Sequence, residues 1–259
     1  EWMVGRVTTH WIAVSQADRR QGLEWELFSA SKVSVVRPGI DPTAFAARID
    51  QAERDRLRAA LGVGPEQLLV GTVSCLKPQK SPEDFIRVAS LVCQRMPAAK
   101  CVLVGDGALR PQIEAMIHSH GLQDRVTLLG WRRDVASLLK AFDVFVLTSQ
   151  WEGLPCAILE ARASRIPIVA TRVGGSAEAI IEGIQGTLCP AGDVRAIASR
   201  VCQILGDERL RADLRNGTQE LPEEFTIQET VKQYQSLYTY LLHATRPAED
   251  MMKLQPNRL

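Results

Sequence analysis

Two glutamates, Glu152 and Glu160, stand eight positions apart around Gly153-Leu154-Pro155-Cys156. Proline is well tolerated as a first helical residue, so a helix starting at Pro155 would leave the amides of residues 153–157, other than the proline itself, unpaired and available to an anion. Glu160 would then lie roughly 7 Å further along the axis, at about 1.5 Å per residue. Carboxylates so placed could grip the hydroxyls of two sugar rings flanking a phosphate at the helix start. The pair alone is weak evidence, because 17 glutamates in 259 residues make one such spacing expected by chance. A second loop, Ser74-Cys75-Leu76-Lys77-Pro78-Gln79-Lys80, brings two lysines to the start of another helix. Ammonium groups beside helix amides suit a phosphate, and the same lysines also fit a plain solvated loop. Gly105-Asp106-Gly107 opens like a dinucleotide fingerprint, but Arg110 stands where the third glycine belongs, so tight turning accounts for it. Gly174-Gly175, ahead of Glu178, fits either a close approach of backbone to ligand or a simple strand–helix turn.

Such loops need a scaffold to bring them together. Short apolar, β-branched runs at residues 11–14, 33–36, 68–73, 101–104, 126–129, 144–147, 166–170 and 187–189 read as strands. Helices are predicted over 51–61, 82–95, 109–119, 135–142, 155–164, 194–205 and 226–242. Within 82–95, Phe85, Val88, Ala89 and Val92 recur at three- and four-residue steps, the stripe of an amphipathic helix. Residues 101–104 are apolar throughout, as a strand covered on both faces should be. Alternation of this kind from about residue 68 to 205 builds βαβ units, hence an α/β fold with a doubly wound, Rossmann-like parallel sheet. Ligands of such sheets sit beyond the carboxyl ends of the strands, where all four loops fall.

Composition removes several classes of function. With 31 Lys+Arg against 30 Asp+Glu there is no basic surplus for a nucleic acid. A hydrophobic content of 46% is far too high for a disordered chain. No apolar run approaches the ~18 residues of a membrane-spanning helix. Six cysteines without a C-x-x-C pair read as small apolar residues in a reducing compartment, not as a disulfide frame or zinc site. His118 and His120, at the end of a predicted helix, read as surface side chains.

Taken in chain order, the motifs resemble the donor half of the family 4 glycosyltransferases, retaining enzymes with the GT-B fold. The resemblance rests on Val36-Arg-Pro-Gly-Ile-Asp41, Leu76-Lys-Pro-Gln-Lys80, Leu103-Val-Gly-Asp-Gly107, Asp124-Arg-Val-Thr-Leu-Leu-Gly130 and above all Asp143-Val-Phe-Val-Leu-Thr-Ser-Gln-Trp-Glu152-Gly-Leu-Pro-Cys-Ala-Ile-Leu-Glu160. Glu152 and Glu160 occupy the two ends of that family's E-x7-E motif. The resemblance implies that Lys80 and Glu152 work at the reacting centre, Lys80 on the pyrophosphate and Glu152 on the donor sugar. It implies donor contacts from the amides of Gly153, Leu154 and Cys156 around Pro155, ribose binding by Glu160, and stacking of Arg132 on the nucleobase. Many members carry an arginine where Cys75 stands, and Lys77 is the candidate substitute.

The resemblance further implies a nucleotide-sugar donor, a carbohydrate or lipid-linked acceptor, no cofactor, no nucleic acid and no metal. It points to a cytoplasmic protein with peripheral contact to the inner membrane face through its acceptor domain. No D-x-D occurs, which disfavours metal-dependent transferases of the other major fold. Residues 1–40 are expected to be a remnant of the acceptor-side domain plus a hinge, and 41–225 the nucleotide-sugar domain. Residues 226–242 are expected to form a crossover helix and 243–259 a flexible tail. Two other readings compete with a transferase that is weak or inactive alone. One is a non-catalytic nucleotide-sugar-binding module or half of a two-chain enzyme. The other is an epimerase or phosphorylase of the same architecture, for which no acid–base set or Schiff-base lysine is evident.

Overall fold

A computed structural model of the chain describes residues 7–217 and 221–244. Its centre is a six-stranded parallel sheet in the order β5-β4-β3-β6-β7-β8. The strands are β3 (Leu68–Val73), β4 (Ala99–Val104), β5 (Val126–Gly130), β6 (Val144–Leu147), β7 (Ile168–Thr171) and β8 (Gly186–Cys189). The chain moves outward from β3 through β4 to β5, then returns to the other side of β3 as β6 and moves outward again. Connections therefore diverge between β3 and β6, and a crevice opens there at the carboxyl end of the sheet. The two strands lie close because Gly71, paired with Phe145, has no side chain to meet the Phe142 ring.

Two apolar layers bury the sheet. One packs β3, β4 and β6 against α4 (Pro82–Arg95), α5 (Arg110–Ser119) and α9 (Val194–Gly206) through Phe85, Ile86, Val92, Ile113 and Ile197. The other packs Leu69, Val102, Phe145 and Ile168 against α6 (Val135–Ala141) and α7 (Cys156–Ala163). Both layers are the doubly wound arrangement that the alternation predicts. The helix α4 keeps its predicted bounds, whereas α7 begins one residue later than predicted. Pro155 is extended, with φ −77° and ψ 103°, and Cys156 is the first helical residue.

The segment before residue 40 forms a separate parallel pair, β1 (Trp11–Ala13) and β2 (Val33–Val35), with α1 (Gln16–Glu24) between them. The turn-rich stretch after it is tied down. Ile40 donates to Phe225 O at 3.0 Å and accepts from the Ile227 amide at 2.9 Å. A Cβ on Gly39 would lie 2.2 Å from the Thr226 carbonyl, so only glycine allows the two segments this contact. Two α-helices were not predicted, α2 (Pro42–Ala46) and α10 (Glu208–Gly217), and the helix expected after the glycine pair, α8 (Ser176–Ala179), is a single turn. The final helix, α11 (Ile227–Ala244), runs two residues into the expected tail. The rest of that tail, 245–259, lies outside the described residues.

Candidate functional site

Lys80 follows β3 and Glu152 follows β6, so the diverging connections bring them to one crevice. Lys80 Nζ lies 2.5 Å from Glu152 Oε1. The same carboxylate oxygen accepts from the Ser149 hydroxyl at 2.6 Å. Ser149 is fixed in turn, since its carbonyl accepts from Thr171 Oγ1 at 2.6 Å. The lysine side chain keeps 18% of its surface exposed and the glutamate only 5%, so the pair sits at the mouth of the crevice with its acid inside.

The two loops are stitched along their length. Gln150 N donates to Gln79 O at 2.8 Å, and Gln79 Nε2 donates to Trp151 O at 3.0 Å. Thr148 Oγ1 donates to the carbonyls of Lys80 and Ser81 at 3.1 and 2.9 Å. Gly174-Gly175 presses on the loop from the β7 side. Gly174 has φ +47°, and a Cβ there would lie 1.7 Å from Glu152 O. Gly175 N donates to Gly153 O at 2.8 Å. The glycine pair thus serves close packing on the protein's own backbone, a use the sequence reading did not name. Gly105 and Gly107 do the same for the lysine loop, with Ser74 and Leu76 carbonyls where their Cβ atoms would be.

The start of α7 supplies donors beside this pair. The amides of Gly153, Leu154 and Ala157 have no backbone acceptor among the described residues, and Ile158 N donates to the Pro155 carbonyl at 3.0 Å. Burial pushes the Cys156 thiol up, with the Glu160 carboxylate adding to the effect and the Lys80 ammonium opposing it. All three side chains therefore share one neighbourhood. Glu160, one turn into α7, is half-buried, and burial alone pushes its carboxyl up to about 7. A carboxyl so placed has lost water and gained no cation, which leaves it ready to accept from hydroxyl groups.

Two other candidates lie outside this cluster. Lys77 is exposed, three residues short of the contact that Lys80 makes. Arg132 is exposed beyond the end of β5, where it grips Asp134 of its own loop through Nε at 2.7 Å and Nη2 at 2.5 Å. Sequence reasoning missed Glu178. Its carboxylate accepts from the Ala17 and Gln16 amides at 2.9 and 3.1 Å, capping α1, and from Arg37 Nη2 at 2.9 Å. Only its place after the glycine pair hinted at a role. Packing of Val14 Cγ2 and Asp18 Oδ2 over Gly153, within 2.6 and 3.2 Å of where a Cβ would be, joins this N-terminal segment to the site. Among the described residues no three His, Cys, Asp or Glu side chains come together as a metal-binding group. His118 and His120 are exposed, as expected.

The family "Glycosyl transferases group 1" matches residues 53–221, about two thirds of the chain and all six strands of the main sheet. The chain belongs to this family. A relative from Escherichia coli, UDP-Gal:alpha-D-GlcNAc-diphosphoundecaprenol alpha-1,3-galactosyltransferase, is 29% identical over 241 residues, covering 92% of this chain and 62% of the relative. The N-acetyl-alpha-D-glucosaminyl L-malate synthase of Bacillus anthracis is 30% identical over 210 residues, covering 79% and 55%. The crystal structure of Anabaena Alr3699/HepE in complex with UDP-glucose superposes with a TM-score of 0.79 at 26% identity, covering 89% of this chain and 64% of that one. The fold is the Rossmann-like half of a GT-B glycosyltransferase. The chain spans about 55–62% of the length of these two curated relatives. Among the described residues no helix is long and apolar enough to cross a membrane.

Proposed function

We propose that this glycosyltransferase chain binds a nucleotide-diphosphate sugar in the crevice between the β3 and β6 loops, and moves the sugar to an acceptor hydroxyl with retention and without a metal. The observation that carries the reading is the Lys80–Glu152 pair beside the unpaired amides of α7. An ammonium and a set of fixed N–H donors are what a departing diphosphate needs, because the barrier falls as its developing charge is stabilised. Glu152 hydrogen-bonds the donor sugar and Glu160 accepts from the ribose hydroxyls.

In this reaction the anomeric C–O bond breaks and the electron pair leaves with the nucleoside diphosphate. The acceptor oxygen then forms the new bond on the face just vacated, so no protein nucleophile is required. Lys80 and the α7 amides neutralise the leaving group, which is the work a divalent metal would otherwise do.

Relatives named for UDP-sugars and crystallised with UDP-glucose support a uridine nucleotide as donor. A lipid-linked acceptor is supported by the diphosphoundecaprenol in the name of the Escherichia coli relative. We further propose that 41–225 carry donor binding, that 1–40 and 226–242 belong with an acceptor-side domain, and that peripheral membrane contact is made through that domain. A nucleotide-sugar-binding module without transfer is the second reading, because the Lys80–Glu152 crevice accounts for donor binding by itself.

The test is a titration with uridine, guanosine and adenosine diphosphates, with and without chelator, beside Lys80→Ala and Glu160→Ala. The expected result is saturable, chelator-insensitive binding of uridine diphosphate that both substitutions weaken at least tenfold. Base-indifferent binding that ignores both substitutions would overturn the assignment. Hydrolysis or transfer of a bound UDP-sugar separates the transferase from the binding module.

A further inference from the structure

The opposite end of the sheet, where the strands begin, carries an unusual concentration of positive charge. A cavity of about 220 Å³ opens there, against residues that immediately precede β6 and β7. Its wall includes Arg48, Arg54, Lys140, Arg165 and Arg215, and not one carboxylate. An adjoining cavity shares Arg54 and Arg215, adds Arg58 and Arg211, and contains the acids Asp143 and Glu208. Seven cations therefore face two carboxylates in a chain whose overall charges balance.

Asp143 is already spent. Arg54, Arg58 and Arg215 all reach its carboxylate, at 2.8, 3.0 and 3.3 Å. Burial alone would raise its pKa, yet the Leu69 amide and the Arg54 and Arg58 guanidinium groups outweigh that and hold it below the usual carboxylate range. Burial, and secondarily the neighbouring Arg54, pull the Arg215 guanidinium down, with Asp143 opposing them. Arg48 and Arg165 have no carboxylate partner among the described residues, and Lys140 donates only to the Ala44 carbonyl, at 3.3 Å.

Arg165 is also placed at a conformational cost. It ends α7 in a Schellman turn, its amide donating to Arg162 O and the Ile166 amide to Ala161 O, at 2.9 and 3.1 Å. That position takes a left-handed backbone, here φ +57°, and is normally glycine. Ser164, the residue before it, lines the same cavity, and its buried hydroxyl has no hydrogen-bond partner among the described residues.

We propose that this cavity binds a small phosphorylated molecule, its phosphate held among Arg48, Lys140 and Arg165 and its body laid against Phe45, Ile49 and Phe142. Guanidinium forks match a phosphate's oxygens two at a time, and a dianion answers a surplus that one buried carboxylate leaves unmet. The apolar wall selects an ester over the bare ion. This site is separate from the nucleotide crevice and does not depend on the function proposed for it.

The test uses inorganic phosphate and phenyl phosphate as probes, titrated calorimetrically at low salt into the wild-type chain, Arg165→Gly, Arg48→Gln and, as a control exposed on α9 away from both cavities, Arg200→Gln. Glycine suits the left-handed position, so Arg165→Gly removes the charge while raising the thermal midpoint. Saturable binding is expected, tighter for phenyl phosphate. Arg165→Gly and Arg48→Gln should each weaken it at least tenfold, whereas Arg200→Gln should leave it unchanged. Binding by Arg165→Gly within twofold of wild type would overturn the proposal, as would an equal loss in Arg200→Gln or the absence of saturable binding. Equal affinity for the two probes would overturn the apolar half of the site.

Discussion

Replacing Glu160 by glutamine isolates the electrostatic strain carried in the donor crevice. The carboxyl has an ordinary value of 4.5 and is pushed by burial to about 7 in the folded chain. At about 1.4 kcal/mol per pH unit, the difference amounts to about 3 kcal/mol between the two protonation states. Between these values the folded state holds a proton that the unfolded chain has released. Stability therefore falls as pH rises from 4.5 towards 7, and the full penalty persists above. Glutamine keeps the shape and never ionises. The variant should accordingly be more stable than wild type by about 3 kcal/mol at pH 8, but by less than about 1 kcal/mol at pH 5. Paired urea titrations at the two pH values measure this, and taking the difference between proteins cancels every other titrating group. Uridine diphosphate affinity should move the opposite way. Wild-type binding should strengthen up to about pH 7 as the carboxylate forms, whereas the variant should bind more weakly with little dependence on pH. A stability gain equal at pH 5 and pH 8 would refute the reasoning, because the carboxyl would then not titrate between them.

Lys80→Met should cost about 3 kcal/mol in a denaturant titration by leaving Glu152 buried with only Ser149 as partner; adding Glu152→Gln should restore most of the stability but none of the nucleotide affinity. Gly174→Ala places a methyl group 1.7 Å from the Glu152 carbonyl at φ +47°, so it should lower the thermal midpoint markedly and weaken nucleotide binding with it. Glu178→Ala removes the acceptor of the Gln16 and Ala17 amides, and should cost about 1 kcal/mol while speeding hydrogen exchange at those two positions. Arg132→Ala breaks an exposed pair and should change stability by less than about 0.5 kcal/mol, so that unchanged base selectivity would remove Arg132 from the site.

Much of this architecture was legible because periodicity and punctuation agreed. The run 101–104, apolar at every position, could only be a strand covered on both faces, and Phe85, Val88, Ala89 and Val92 fixed the buried side of α4. The helix α10 escaped because half of its residues are charged and it buries Leu214 alone, a stripe too narrow to stand out from a solvated segment. Glu152 and Glu160 were visible as a pair, but spacing says nothing of neighbours. That Lys80 rather than Lys77 meets Glu152 is set by how the β3 and β6 loops pack together, and the left-handed backbone at Ser81 beside Lys80, with φ +44°, is marked by no propensity. Glu178 was hidden for a different reason. Its partners lie more than 140 residues away, at the start of α1 and at Arg37.

These remote contacts bear on how the crevice is held. The Glu152 loop is gripped by hydrogen bonds from the β3 loop on one side and by Gly174 and Gly175 on another. On a third side Val14 and Asp18 lie over Gly153, and Glu178 ties that N-terminal segment back to the β7 connection. A glutamate on a loop held on three sides would lose little freedom on meeting the donor sugar proposed for it, which is the condition for efficient positioning. The same closure makes the N-terminal segment a mechanical neighbour of the Lys80–Glu152 crevice. A displacement of α1 must shift the Gly153 backbone or break the Glu178 cap. Loosening the cap without touching the crevice, as Glu178→Ala does, should therefore weaken nucleotide binding even though Glu178 lies outside the cluster of Lys80, Glu152 and Glu160.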